Sequence, residues 1–224
     1  MKGILFLNTE IFQNDSVYKK AFSLISDDRK EKIKKIKSPM PARLSLGAGL
    51  LTRIAMDQCN LGERINDIEY RKHGKPYLNH TNFHFNLSHS CHYVVCAYAD
   101  EAIGIDLQRI KKDIPKHTRK ILSAEEIEYL DTLKEDEKII AFYQLWSRKE
   151  SLIKWDGRGL HIPLSSISFI NQGQLETSVY FEGEKLYISE FDLWLPDYTF
   201  CICSQKESFP ENIMEVTAEF LTKY

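Results

Sequence analysis

Ile103-Gly104-Ile105-Asp106-Leu107-Gln108 reads as a strand, and Trp146-Ser147-Arg148-Lys149-Glu150-Ser151-Leu152-Ile153-Lys154 reads as a helix. The period-two alternation of a strand puts Asp106 and Gln108 on one face, with Ile105 and Leu107 on the other, toward a core. On the helix, Ser147, Glu150 and Lys154 share one stripe, and Ile139, Tyr143, Trp146 and Ile153 are available to pack inward beside it. Between them the two segments offer oxygen ligands for a hard cation and a basic partner for an anion. This is the side-chain inventory of phosphate chemistry on a bound Mg²⁺.

Outward from these segments, strands and helices mix along the whole chain. A strand near residues 3–8 precedes a helical region from about Asp15 to Lys37, with a helix start at Ser26-Asp27-Asp28-Arg29, where acids occupy the first turn. Ser38-Pro39-Met40-Pro41 breaks that helix, and a second follows over about 42–58, with Leu44, Leu46, Leu50, Leu51 and Ile54 for its core face. Ile68–Arg71 leads into the turn His73-Gly74-Lys75-Pro76, and Phe83–His89 alternates apolar and polar. Tyr93–Tyr98 and Ile103–Leu107 are apolar runs whose junction, Asp100-Glu101, suggests a hairpin. Helices are expected over 123–133, starting at Ser123, and 137–155, then strands over 160–205 with turns at Asn171-Gln172-Gly173 and Glu182-Gly183-Glu184. The sum is an α+β fold, helices on largely antiparallel sheet.

The 224 residues suit one large domain or two small halves sharing a core, and a hydrophobic fraction of 43% is ordinary for a soluble protein. A net charge of −2 gives no basis for nucleic-acid binding. No apolar run approaches the roughly 20 residues of a membrane span, and the N-terminal stretch is too short for a signal peptide, so a cytoplasmic protein is expected. Five cysteines, an odd number, fit free thiols in a reducing compartment. A zinc site on His89, Cys91 and Cys96 lacks the paired spacing that would support it.

Each candidate has a plainer alternative. Asp106 at a strand end can be salt-bridged to Lys111 or Lys112, and Glu150–Lys154 can be a surface pair worth a few tenths of a kcal/mol, by the order of magnitude of such helix pairs. Ser88 and His89, adjacent on a strand, face opposite ways and cannot form a nucleophilic pair with each other. Both suit phosphate binding, while His89 also reads as a core histidine and Lys75 as a turn lysine in water. The basic run Arg29, Lys30, Lys32, Lys34, Lys35 and Lys37 is in large part a solvated helix face.

Four pieces, in order, resemble one family: His73-Gly74-Lys75-Pro76, Phe85-Asn86-Leu87-Ser88-His89-Ser90, Ile103-Gly104-Ile105-Asp106 and Trp146 to Lys154. The chain resembles the 4′-phosphopantetheinyl transferases of the surfactin-synthetase-activating (Sfp) type, from the N-terminus to about residue 204. The resemblance implies two similar α/β halves, 1–104 and 105–224, related by pseudo-twofold symmetry, with coenzyme A in the cleft between them. It implies transfer of the phosphopantetheine arm to a serine of an apo acyl or peptidyl carrier protein, releasing adenosine 3′,5′-bisphosphate, with Mg²⁺ (or Mn²⁺) as cofactor. Carried over by position, Asp106, Gln108 and Glu150 are the metal ligands, and Lys154 contacts the phosphate under attack. Ser88 and His89 contact coenzyme A phosphates, Lys75 and Pro76 lie near the nucleotide, and Arg29, Lys32 and Ser45 lie near the 3′-phosphate. Glu150, directly or through a water, is then the base for the carrier serine. A monomer is implied.

Two departures stand out. Gln108 replaces the acid usual at that position, which should weaken metal binding. Arg119-Lys120-Ile121-Leu122-Ser123 lacks an aromatic pair where the family meets its carrier, so Ile121 and Leu122 become the apolar contact there, unless they only pack against the core. Glu126 matches an acid often found near the metal. Competing readings are a non-catalytic coenzyme A- or carrier-binding protein and a Mg²⁺-dependent hydrolase of nucleotide diphosphates.

Overall fold

Gly3–Asn8 (β1) carries Leu5 and Leu7 on one face and Ile4 and Phe6 on the other, all four buried. The computed structural model, which describes residues 2–115, 118–207, 209 and 212–224, resolves the α+β expectation into two units. The first is Met1–Glu101 with Pro210–Tyr224, the second Ala102–Phe209.

In the first unit, the region expected as one helix over 15–37 is two, α1 (Asp15–Leu24) and α2 (Asp27–Lys34), because Ile25 and Ser26 both take extended backbone. Pro39 does not merely end a helix. It opens the next, α3 (Pro39–Asp57), at a first-turn position where a missing N–H costs nothing. Leu46, Leu50, Leu51 and Ile54 of α3 are buried against β1 and β5 (Tyr93–Ala99), and each such burial contributes about 1.5–3 kcal/mol. Two short strands, β2 (Ile68–Tyr70) and β3 (Pro76–Leu78), pair antiparallel. Beside them, β4 (His84–Ser90) joins β5.

In the second unit, β6 (Ile103–Arg109) pairs with β11 (Tyr198–Ser204), which pairs with β10 (Glu184–Glu190), itself paired with β9 (Ser178–Phe181). A small hairpin of β7 (Ile170–Asn171) and β8 (Gln174–Leu175) sits apart from that sheet. Its α-helices among the described residues are α4 (Ala124–Asp131), capped by Ser123 as expected, and α5 (Glu135–Asp156), which packs on β6 and β11.

Two expectations are corrected. The runs 93–98 and 103–107 do not form a hairpin. β5 lies between β1 and β4, and the hairpin is β4–β5 through Cys91-His92, with Cys91 at φ 53. Apolar runs signal strands but not partners, which long-range pairing chooses. The expected boundary at 104/105 falls inside β6, and residues beyond 209 return to the first unit. There β12 (Ile213–Glu215) pairs parallel with β1, and α6 (Ala218–Lys223) buries Leu221 in the first core. Without β12, β1 would be an open edge.

Candidate functional site

The second unit builds an acidic centre from β6 and α5. Gly104 lets them come together: a Cβ there would lie 1.9 Å from the Ser151 carbonyl oxygen and 2.2 Å from the Trp155 nitrogen, both backbone. No residue with a side chain fits this approach. Two positions on, Asp106 is therefore held against the helix, 4% exposed, where Lys154 Nζ donates to its Oδ1 at 2.7 Å. The face carrying Asp106 is thus the one that α5 covers, and Ile105 and Leu107 are buried on the other. Of the plainer alternatives for Asp106, Lys111 and Lys112 give way to Lys154.

Glu150 is half-buried one turn before Lys154. Burial raises its pKa first, the nearby Asp106 carboxylate raises it further, and Lys154 pulls it back. Ser147, a turn earlier, is buried with its Oγ 3.2 Å from Cys201 Sγ, and Cys201 is the cross-strand partner of Asp106. Burial pushes the Cys201 thiol up to about 12, so it stays a neutral thiol beneath the acids. Gln108, half-buried, donates its amide to the Arg109 carbonyl at 3.1 Å.

Among the described residues no three His, Cys, Asp or Glu side chains gather as metal ligands do. What this centre holds is two neighbouring carboxylates with a neutral amide two residues along from one of them. That donor set suits Mg²⁺, which takes one or two carboxylates and completes its shell with water and substrate phosphates. The Asp106 carboxylate raises the Glu150 pKa, and a divalent cation would relieve that repulsion.

Glu126 is no part of this centre, although its position suggested it. It is fully buried, accepts from Ser123 N at 2.9 Å and Phe169 N at 3.1 Å, and pairs with Lys149 Nζ at 2.9 Å. Lys149 donates also to the Leu164 and Ile167 carbonyls, at 2.7 and 2.5 Å. Burial lowers the Lys149 pKa and Glu126 supports it. Leu122 is likewise a core residue at 4% exposure, which leaves Ile121, half-buried, as the one of that pair with surface to offer.

The first unit gathers cations. Arg29 lines a cavity with Gly49 and Thr52 of α3, Tyr70 of β2, Pro76 of β3 and Phe85 of β4. It makes no hydrogen bond or ion pair among the described residues, unlike Lys30 and Lys34, which pair with Asp27 and Glu31 on their own helix. Lys32 is exposed and Lys75 half-buried in the turn before Pro76. Ser45 lies one turn before Gly49, its Oγ buried without a hydrogen-bond partner. Ser88 is buried and His89 exposed, so the core-histidine alternative fails, and strand alternation puts the two on opposite faces as expected.

Sequence reading missed three features: the Glu126–Lys149 pair, Cys201 under Asp106, and the glycines at close approaches. Only the first left a trace, in the Ser123-x-x-Glu126 capping signature. All five cysteines are free thiols, and no helix among the described residues is long and apolar enough to cross a membrane.

Comparison with known proteins gives two family matches. Residues 102–203 match the 4′-phosphopantetheinyl transferase superfamily, and residues 13–101 match the N-terminal region of 4′-phosphopantetheinyl transferases. The chain is 32% identical to 4′-phosphopantetheinyl transferase Sfp of Bacillus subtilis over 89% of its own length and 90% of that relative. It is 30% identical to the transferase gsp of Aneurinibacillus migulanus, over 76% of the chain and 71% of the relative. To the human L-aminoadipate-semialdehyde dehydrogenase-phosphopantetheinyl transferase it is 26% identical, over 72% and 60% respectively.

Proposed function

The chain belongs to the 4′-phosphopantetheinyl transferase superfamily, in its Sfp-like branch, and we propose that it moves the phosphopantetheine arm of coenzyme A onto a serine of an apo acyl or peptidyl carrier protein. The observation that carries this reading is the Asp106, Glu150 and Lys154 constellation, assembled on one strand and one helix of a single unit. The like construction of the two units, each a long helix on a four-stranded sheet, supports reading them as two similar halves.

Arg29, Lys32, Lys75 and His89 supply positive charge and donors for the coenzyme A phosphates, with Ser45 and Ser88 adding hydroxyl donors and Pro76 an apolar surface for the nucleotide. Asp106, Glu150 and the Gln108 carbonyl would hold Mg²⁺, which would supply charge neutralisation on the diphosphate. Lys154 is 26% exposed and paired with Asp106, so its remaining N–H donors can reach a phosphoryl oxygen. Glu150, its carboxyl raised by burial, takes the proton of the serine hydroxyl directly or through a water. The serine oxygen bonds to the phosphorus that bears pantetheine, the phosphoanhydride bond breaks, and adenosine 3′,5′-bisphosphate leaves. No covalent enzyme intermediate is needed.

Intact-mass measurement of an apo carrier protein, after incubation with coenzyme A, Mg²⁺ and this protein, tests the reading. A gain of one phosphopantetheine, lost with Glu150→Ala and with EDTA, is expected. Bound coenzyme A with no gain on any carrier would favour a binding protein instead. Coenzyme A cleavage without a carrier would favour a hydrolase.

A further inference from the structure

Gly49 sits in the middle of a 19-residue helix, where alanine is the better helix former. A Cβ built on it would lie 2.7 Å from Arg29 Cδ and 2.9 Å from Ile25 Cγ2. The aliphatic stem of Arg29, together with the Ile25 side chain, therefore occupies the space a side chain at 49 would fill. Gly49 and Arg29 line the same cavity, together with Pro76 and Tyr70. Arg29, so held, is half-buried as a residue, and its guanidinium is bonded to nothing among the described residues. An unengaged guanidinium beside a cavity offers a fork of donors with no protein acceptor, the geometry that a phosphate takes up. One turn back on the same helix face, the buried Ser45 Oγ is also without a partner.

We propose that Gly49 is a positioning residue for the 3′-phosphate of coenzyme A: the side chain it lacks is the room in which Arg29 lies, and that placement aims the guanidinium at the phosphate. The inference rests on the transferase reading and on Arg29 as the 3′-phosphate contact. It makes discrimination between coenzyme A and its 3′-dephospho form depend on a residue that touches neither. Gly49→Ala presses on the Arg29 stem and on the buried Ile25 side chain, side-chain rather than backbone neighbours, and displaces the guanidinium.

The test is calorimetric titration of the full chain with coenzyme A and with 3′-dephospho-coenzyme A, for Gly49→Ala, Arg29→Ala and the double variant. Arg29→Ala should weaken coenzyme A by about tenfold or more, the usual worth of a hydrogen bond to a charged group, and leave the dephospho form nearly unchanged. Gly49→Ala should lose most of the same factor on coenzyme A alone, and the double variant should be no weaker than Arg29→Ala, because both remove one contact. A purely structural effect of Gly49→Ala would weaken both ligands alike and would overturn the proposal, as would unchanged coenzyme A affinity. If Arg29→Ala itself leaves the discrimination intact, the assignment of Arg29 falls and Gly49 with it. Should Gly49→Ala unfold, Gly49→Ala/Ile25→Ala, which trims the other close neighbour and keeps Arg29, reports instead: full discrimination there would overturn the proposal.

Discussion

The two units meet the same packing problem, a long helix on a four-stranded sheet, with different chemistry. In the first unit α3 turns Leu46, Leu50, Leu51 and Ile54 to the sheet, and its glycine at 49 makes room for side chains. In the second, α5 buries Phe142, Leu145 and Leu152 but also the polar Ser147, Arg148, Lys149 and Ser151, and the glycine stands on the strand, at 104, making room for the helix backbone. An apolar interface tolerates a neighbour that shifts by a few tenths of an ångström. A polar one does not, because each displaced donor leaves a buried acceptor unsatisfied. The unit proposed to do the chemistry is built on the less forgiving interface, and the unit proposed to bind phosphates on the adaptable one.

Glu150→Gln separates the two roles most sharply. Transfer should fall by about 10³-fold, within the range for loss of a general base, while coenzyme A binding through the first unit's cations persists; comparing kcat with titrated affinity checks it. Loss of binding and transfer together would erase the contrast. Lys149→Met strands the Glu126 charge and should cost about 3–5 kcal/mol, the usual price of breaking a buried pair. Denaturant unfolding should then show Glu126→Gln/Lys149→Met recovering part of that loss. A next step down, Gly104→Ala should destabilise by about 3 kcal/mol, in the overpacking range, because both clashing atoms are backbone. Gly49→Ala, by the same denaturant unfolding, should destabilise by only about 1 kcal/mol, because its close neighbours Arg29 and Ile25 are side chains and helix propensity offsets part of the cost. Equal losses at 49 and 104 would break the comparison between flexible and rigid neighbours. The smallest effect is expected from Gln108→Glu, which adds a third acid and should lower the Mg²⁺ needed for half-maximal transfer several-fold.

Much of the fold was legible because its signals are local. Ser123 with Glu126 three residues on announces α4, alternation announces β4, and the Glu150–Lys154 spacing places both on one helix stripe whatever the surroundings. The candidate site residues were legible as ordered motifs, since chemistry limits which side chains can serve phosphate and metal. Partnerships were not. Glu126 matched an acid near the metal and Lys149 stood only as part of the helix motif; burial by a third segment, 164–169, makes them a pair. The sequence by itself determined the element types, the family and the acidic and basic inventory, since those depend on residue type and near spacing. Tertiary structure alone decided that β5 pairs with β1 and β4 rather than β6, that residues 213–215 complete the first sheet, that Lys154 meets Asp106, and that Gly49 houses Arg29. Each of these depends on atoms far apart along the chain brought within contact distance, and no local pattern encodes that.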